Sequence, residues 1–275
     1  MAGRDTPAPL DRHGGATVRL EKQVAIITGA AQGIGREYAL RFAREGAAVV
    51  IADLREAQAQ GVEKEIAAAG GRAIALRADV TSEEQMKEVA RKTVEKFGRI
   101  DTLVNNAAIY YDLEATNQTI EYGRKVLDVN LFGVLITSRA VFPYMKERRR
   151  GSIINIASTA AYPFQVPSDA DLDTIPIVYY GLSKSGVVFI TKEMAYQVGR
   201  YNIRVNAIAP GLTLSDASLR LVPEPFVMFI RNQSSLRREN QPVDLTGTAV
   251  FLASDDSAAM TGQTLVVDNG RVMLG

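Results

Sequence analysis

The chain has no cysteine, and its only histidine is His13, in a polar N-terminal stretch. The first absence excludes thiolate nucleophiles, disulfides and Cys-ligated zinc. The second gives no reason to expect a His-based triad or a His-rich metal site, so no metal site is assigned. An excess of one charge is also lacking: 32 Lys and Arg stand against 31 Asp and Glu. That balance implies no strong polyelectrolyte partner such as nucleic acid. The basic run Arg148-Arg149-Arg150 reads as a solvated helix end. No apolar run reaches membrane-spanning length, and the start lacks a signal-peptide core. The expectation is a soluble cytoplasmic protein with no membrane partner.

Apolar residues make up 47% of the chain, enough for a sizeable core. The rest is organised around residues 24 to 46. Val24 to Ile27 reads as a buried strand, followed by Gly29, Gly33 and Gly35 and then an amphipathic stretch that Gly46 closes. Strand, glycine-rich turn and helix together form a pyrophosphate cradle, because the helix N-terminus offers unpaired N–H groups and glycine lets the backbone approach. A second strand ends at Asp53, 18 residues beyond Gly35. That is close to the ~20-residue offset of a ribose-binding carboxylate.

Further strands are read at Ala73–Leu76, Thr102–Val104, Ser152–Ile156, Ile203–Ile208 and Leu265–Val267. Helices between them run over 56–69, 82–97, 119–146, 178–197 and 243–252. Ser82 and Gln85 have the spacing of a capping box. The alternation predicts an α/β fold, a doubly wound parallel sheet with helices on both faces. Residues 1–20 read as a flexible arm and 21–275 as a single dinucleotide-binding and catalytic domain.

Open α/β sheets bind ligands at the C-terminal ends of their strands. Tyr180 and Lys184, one turn apart on a helix, share a face. A nearby ammonium stabilises a phenolate and brings a tyrosine into working range as a base. Ser158, at the end of the fifth strand, can donate to a carbonyl oxygen at the same place.

In order along the chain stand Thr28-Gly29-x-x-x-Gly33-x-Gly35, Asn105-Asn106-Ala107, Asn130, Ser158, Tyr180-x-x-x-Lys184 and Pro210-Gly211. This set resembles the classical short-chain dehydrogenase/reductase family over about residues 21 to 272. The resemblance implies a seven-stranded Rossmann-type sheet of order 3-2-1-4-5-6-7 and NAD(P)-dependent oxidoreduction. It implies that Tyr180 is the acid/base, that Ser158 positions the substrate oxygen, and that Lys184 lowers the tyrosine pKa and holds the nicotinamide ribose. Asn130 would anchor a water in the proton relay. Asp79 would meet the adenine, beside Val80, and Asn106 and Ala107 the adenosine ribose. The cofactor set further includes Gly29, Gln32, Gly33, Ile34, Gly35, Asp53, Leu54, Pro210, Gly211, Thr213 and Ser215. Departures from the pattern are Ala108 in place of glycine, Ser215 where a threonine is common, and a long interval of 22 residues between Ser158 and Tyr180.

The function expected is reversible, NAD-dependent oxidation of a hydrophobic secondary alcohol or reduction of its ketone. Asp53 disfavours a 2′-phosphate, and Gln32 and Leu54 carry no positive charge. Rival readings are a 3-oxoacyl-thioester reductase working on an acyl carrier and a non-catalytic NAD-binding protein. A homotetramer is expected, paired through helices 119–146 and 178–198, with Val134, Ile136, Val188 and Met194 outward. Residues 212–236, rich in Leu219, Leu221, Val222, Phe226, Val227, Met228, Phe229 and Ile230, read as an apolar lid. Tyr162, Phe164, Val166 and Ile175 would form the facing wall.

Overall fold

The computed structural model describes residues 18–110, 119–162 and 178–273. The expectations that rest on 1–17, on the stretch holding Phe164, Val166 and Ile175, and on the last two residues lie outside those described. Seven strands form one all-parallel sheet: β1 Val24–Thr28, β2 Ala48–Asp53, β3 Arg72–Arg77, β4 Thr102–Asn105, β5 Gly151–Ile156, β6 Ile203–Pro210 and β7 Thr264–Val267. Their order is β3-β2-β1-β4-β5-β6-β7. The fold is Rossmann-type, as the motif set implied.

Each central strand is apolar on both sides because helices cover both faces. Ala25, Ile27, Val49 and Ile51 pack under α1 (Gly33–Arg44), α2 (Glu56–Ala68) and α9 (Thr246–Ala253). Ile26, Val50, Leu103 and Ile153 face the opposite layer, made by α3 (Glu83–Phe97), α5 (Gly133–Arg148) and α6 (Tyr179–Val198). The period-two alternation of strand side chains sends successive residues to opposite layers. Arg19 donates to Glu45, and Leu20 is buried in the core, so the folded body takes in the last residues of the segment read as an arm.

Two local expectations need correction. The helix read over 119–146 is α4 (Ile120–Leu127), a π-helical segment Asp128–Phe132, and α5, joined end to end. Insertions of this kind gather at functional sites, and Asn130 sits inside this one. The combined helix, Ile120–Arg148, is 29 residues long with a mean hydropathy of 1.4 in its most apolar window. By length and composition it could cross a bilayer, contrary to the sequence reading. Its Val134, Val141 and Met145 are buried against the rest of the protein, which is the position of a core helix. Second, Ser82 accepts from Gln85 N as a cap should, but the Gln85 side chain accepts from Asp79 N instead of closing the box.

Candidate active site

The C-terminal edges of β1, β2, β4, β5 and β6 border one cleft of about 2300 Å³. Drug-sized ligand pockets are typically ~300–1,000 Å³, so this cleft has room for a dinucleotide and a substrate together. All the residues expected to bind cofactor line it: Gly29, Gln32, Gly33, Ile34, Gly35, Asp53, Leu54, Asp79, Val80, Asn106, Ala107, Tyr180, Lys184, Pro210, Gly211, Thr213 and Ser215. Ser158 lines it too; Asn130 does not.

At one end the chain runs from β1 through the glycine turn into α1. The α1 N-terminus has no side-chain cap from Gln32, so its first N–H groups are left for a ligand. Gly33 takes φ +56, which side chains resist. A Cβ on Gly35 would sit 2.3 Å from Gly29 O and 2.5 Å from Asn106 Nδ2, so only glycine lets the turn close. Asn106 Nδ2 donates to Thr28 O and Gly29 O at 2.9 and 3.0 Å, and Thr28 Oγ1 accepts from Asn106 N and Ala107 N. Asn106 therefore braces the turn. An uncapped helix start beside a glycine turn held open this way fits a diphosphate. Next to it Asp53, buried at the end of β2, accepts from Ala31 N, Arg55 N and Arg55 Nε. Asp79 Oδ1 accepts from Thr81 N and Oγ1, which fixes the loop after β3.

In the middle of the cleft, α6 presents Tyr180 and Lys184. Lys184 Nζ lies 5.6 Å from the centre of the Tyr180 ring and donates to Ile156 O at 2.7 Å. Burial pushes its pKa down to about 8. Ser158 follows β5, and its Oγ accepts from Ala160 N at 3.1 Å. Asn130 is buried and does not line the cleft. Its Oδ1 accepts from Ile109 N at 2.8 Å, and its Nδ2 donates to Ile109 O and Ser183 Oγ at 2.9 and 3.2 Å. Ser183 Oγ in turn donates to Tyr180 O. The Asn130 side chain thus ties the loop after β4 to the first turn of α6.

The far end is closed by α7 (Asp216–Leu221) and α8 (Glu224–Gln233), the region read as a lid. Leu221, Val222, Phe226 and Ile230 line the cleft, whereas Leu219, Val227, Met228 and Phe229 do not. Half of the expected lid residues thus form an apolar wall of the cleft, and the other half are not part of it. Tyr162 stands on the other side, and burial raises its phenol pKa. The hydroxyls of Thr213 and Ser215 already have partners: Thr213 donates to Gly211 O, and Ser215 caps α7.

Several lining residues went unnoticed in the sequence, among them Tyr110, Arg55 and Arg271. Tyr110 meets Tyr180 edge-on at 6.0 Å between centroids, Arg55 sits on Asp53, and Arg271 reaches the lid end, where its Nε donates to Gln233. Arg220 is exposed and Arg231 pairs with Glu239, so neither is set toward the cleft's middle. Of the residues expected to point outward for assembly, Val134 is buried, and Ile136, Val188 and Met194 pack inward.

Comparison with known proteins gives consistent relatives. The family model described as enoyl-(acyl carrier protein) reductase matches residues 29–271. An uncharacterized oxidoreductase of Mycobacterium tuberculosis is 41% identical over 92% of this chain and 98% of its own length. The 3-oxoacyl-[acyl-carrier-protein] reductase of Thermotoga maritima is 38% identical, covering 93% of this chain and all of its own. Among solved structures, a 7α-hydroxysteroid dehydrogenase complexed with NADH and 7-oxoglycochenodeoxycholic acid superposes with a TM-score of 0.85. Its identity is 35%, covering 92% of this chain and 96% of that one.

Proposed function

Because the chain belongs to the classical short-chain dehydrogenase/reductase family, we propose that this oxidoreductase is NAD-dependent and interconverts a hydrophobic secondary alcohol and its ketone. The observation that carries the reading is the convergence of Tyr180, Lys184 and Ser158 on a cleft whose far wall is apolar. The glycine turn, Asp53 and the α1 N-terminus would hold the dinucleotide. When bound, the nicotinamide supplies the acceptor or donor of a hydride.

The protein's own groups do the rest. Tyr180 as phenolate takes the alcohol proton, helped by the ammonium of Lys184. Lys184 spends one of its three donors on Ile156 O, which aims the others. Ser158 holds the substrate oxygen. Leu221, Val222, Phe226 and Ile230 exclude water and favour an aromatic or alicyclic body. The relative complexed with a 7-oxo bile acid supports a bulky ring substrate. The test is reduced-cofactor absorbance from NAD+ with a panel of secondary alcohols. A polyol preferred over 1-phenylethanol and cyclohexanol derivatives would overturn the substrate class.

A second reading, reduction of 3-oxoacyl thioesters, is favoured by the Thermotoga relative. Turnover of a 3-oxoacyl thioester far above every simple ketone would select it. No turnover of any carbonyl would select a non-catalytic NAD-binding protein. A homotetramer is part of the same proposal. On α6, Phe189 and Tyr196 are 64% and 86% exposed and lie outside the cleft, an apolar surface that a neighbouring subunit would cover. Sedimentation at micromolar concentration tests it.

A further inference from the structure

The cleft carries charge at the dinucleotide end and very little at the lid end. Asp53, Arg55 and Asp79 line the first. From Pro210 onward, among the described residues, every residue that lines the cleft is uncharged except Arg271. Arg271 follows β7 on a turn that is tied down twice. Asp268 accepts from Gly270 N, Arg271 N and Val272 N at 2.9, 3.2 and 2.6 Å. Ser235, just past α8, donates to Gly270 O at 2.8 Å. Arg271 Nε donates at 3.3 Å to the neutral amide of Gln233, the last residue of α8. That bond uses one of the five guanidinium donors and sets the fork against the lid. Arg271 is half-buried. Burial holds its pKa below the ordinary arginine value, although the nearby Asp268 pulls the other way. The group stays charged at any working pH. A cation short of solvent thus shares the lid end with Leu221, Val222, Phe226 and Ile230. There an anion brought by a ligand is held more strongly than in open water.

We propose that Arg271 is an anion subsite for the substrate, so that the ring alcohol or ketone carries a carboxylate away from its reacting carbon. The inference rests on the proposed oxidoreductase reading and narrows its substrate class. Tyr180 and Ser158 take the reacting oxygen, the apolar wall takes the ring, and the two oxygens of the carboxylate match the planar fork of the arginine.

Initial rates of the full chain with NAD+ test it, on 3- and 4-hydroxycyclohexanecarboxylate, their neutral methyl esters and cyclohexanol. In wild type, kcat/KM for at least one acid should exceed that of its ester by about tenfold or more, the scale of a charge-assisted bond. Arg271→Leu should bring that ratio down to about one by raising KM for the acid. Arg220 is exposed and does not line the cleft. Arg220→Leu is therefore the control for general charge, expected to keep the ratio within about threefold of wild type. No preference for any acid in wild type, an unchanged ratio in Arg271→Leu, or an equal fall in Arg220→Leu would each overturn the subsite while turnover of the neutral alcohols stands. The wild-type ratio decides even where a variant fails to fold. Absence of turnover with acids, esters and cyclohexanol alike would instead remove the reading on which the inference rests.

Discussion

The catalytic floor of the cleft and its lid are built from different interactions. On the floor, the buried polar groups are bonded at fixed distances. Lys184 holds Ile156 O, Asn130 holds both backbone groups of Ile109, and Ser183 joins Asn130 to Tyr180 O. Asn130, Ser183 and Lys184 are at most 3% exposed. The lid lines the cleft with Leu221, Val222, Phe226 and Ile230, and leaves Leu219, Met228 and Phe229 exposed. Directional bonds fix an angle, which general acid–base chemistry needs. Apolar contact fixes only that water is excluded, and it tolerates many shapes. On this contrast, changes to the floor should cost rate and changes to the lid should cost affinity.

The largest effect is expected at Tyr180. Tyr180→Phe removes the acid/base and leaves the ring that meets Tyr110. Its kcat should fall by about 10²-fold or more, with NAD+ affinity nearly unchanged by titration. Substantial turnover in the variant would mean that another group moves the proton.

Lys184 sharpens the comparison because it is charged, buried and useful at once. Lys184→Met should lower kcat by about tenfold or more without unfolding the protein, since the cation it removes is poorly solvated. The pH dependence has a definite sign. Burial lowers the folded-state pKa from 10.5 to about 8. Between those values the unfolded chain still holds a proton that the folded one has released, so stability rises with pH across that window. Below it the full penalty of the buried charge applies. The Tm of wild type minus that of Lys184→Met should therefore increase from pH 8 toward 10.5, and a flat difference would show that the lysine is not held this way.

The lid offers the reverse test. Phe226→Ser strips an aromatic surface from the cleft wall and should raise KM for 1-phenylethanol by about tenfold or more, with kcat little changed, given the ~1.5–3 kcal/mol of burying such a side chain. Met228→Ser should behave as wild type because Met228 is not in the wall. A matching loss in both variants would mean that the lid acts through its fold and not through contact.

How much of this was legible differs between the same two regions. The strands were readable to within two residues because parallel strands covered on both faces are short apolar runs. The residues expected at the cofactor came from the strand, glycine turn and helix and from Asp53, and the rest from the family resemblance; all of them line the cleft. Side-chain direction was not readable. Val134, Ile136, Val188 and Met194 were read as outward for being apolar, although i,i+2 and i,i+6 neighbours share no helix face, and it is Phe189 and Tyr196 that α6 turns outward. Arg55 escaped notice because its partner, Asp53, was read alone. Asn130 left a clue as a polar residue within a helix, but its bond to Ile109 spans 21 residues and no local pattern encodes that.

The smallest effect is expected at a place that departs from the rule of the floor. Tyr38, on α1, is wholly buried in the layer beneath the glycine turn, and its hydroxyl has no hydrogen-bond partner among the described residues. Burial raises the phenol's pKa, so it stays neutral at any working pH. Lys184 and Asn130 are also buried, but each has partners and a place in the site. Tyr38 does not line the cleft. A buried hydroxyl without a partner costs ~1–3 kcal/mol of desolvation, and Tyr38→Phe removes that cost while keeping the ring that fills the core. The volume lost is one oxygen, too little to open a cavity of consequence. The variant should show unchanged kcat and KM and a Tm equal to wild type or higher, by about 2–4 °C for each kcal/mol gained. A clear fall in Tm would mean that the hydroxyl is satisfied by a bound water, so that even this part of the core follows the bonding rule of the catalytic floor.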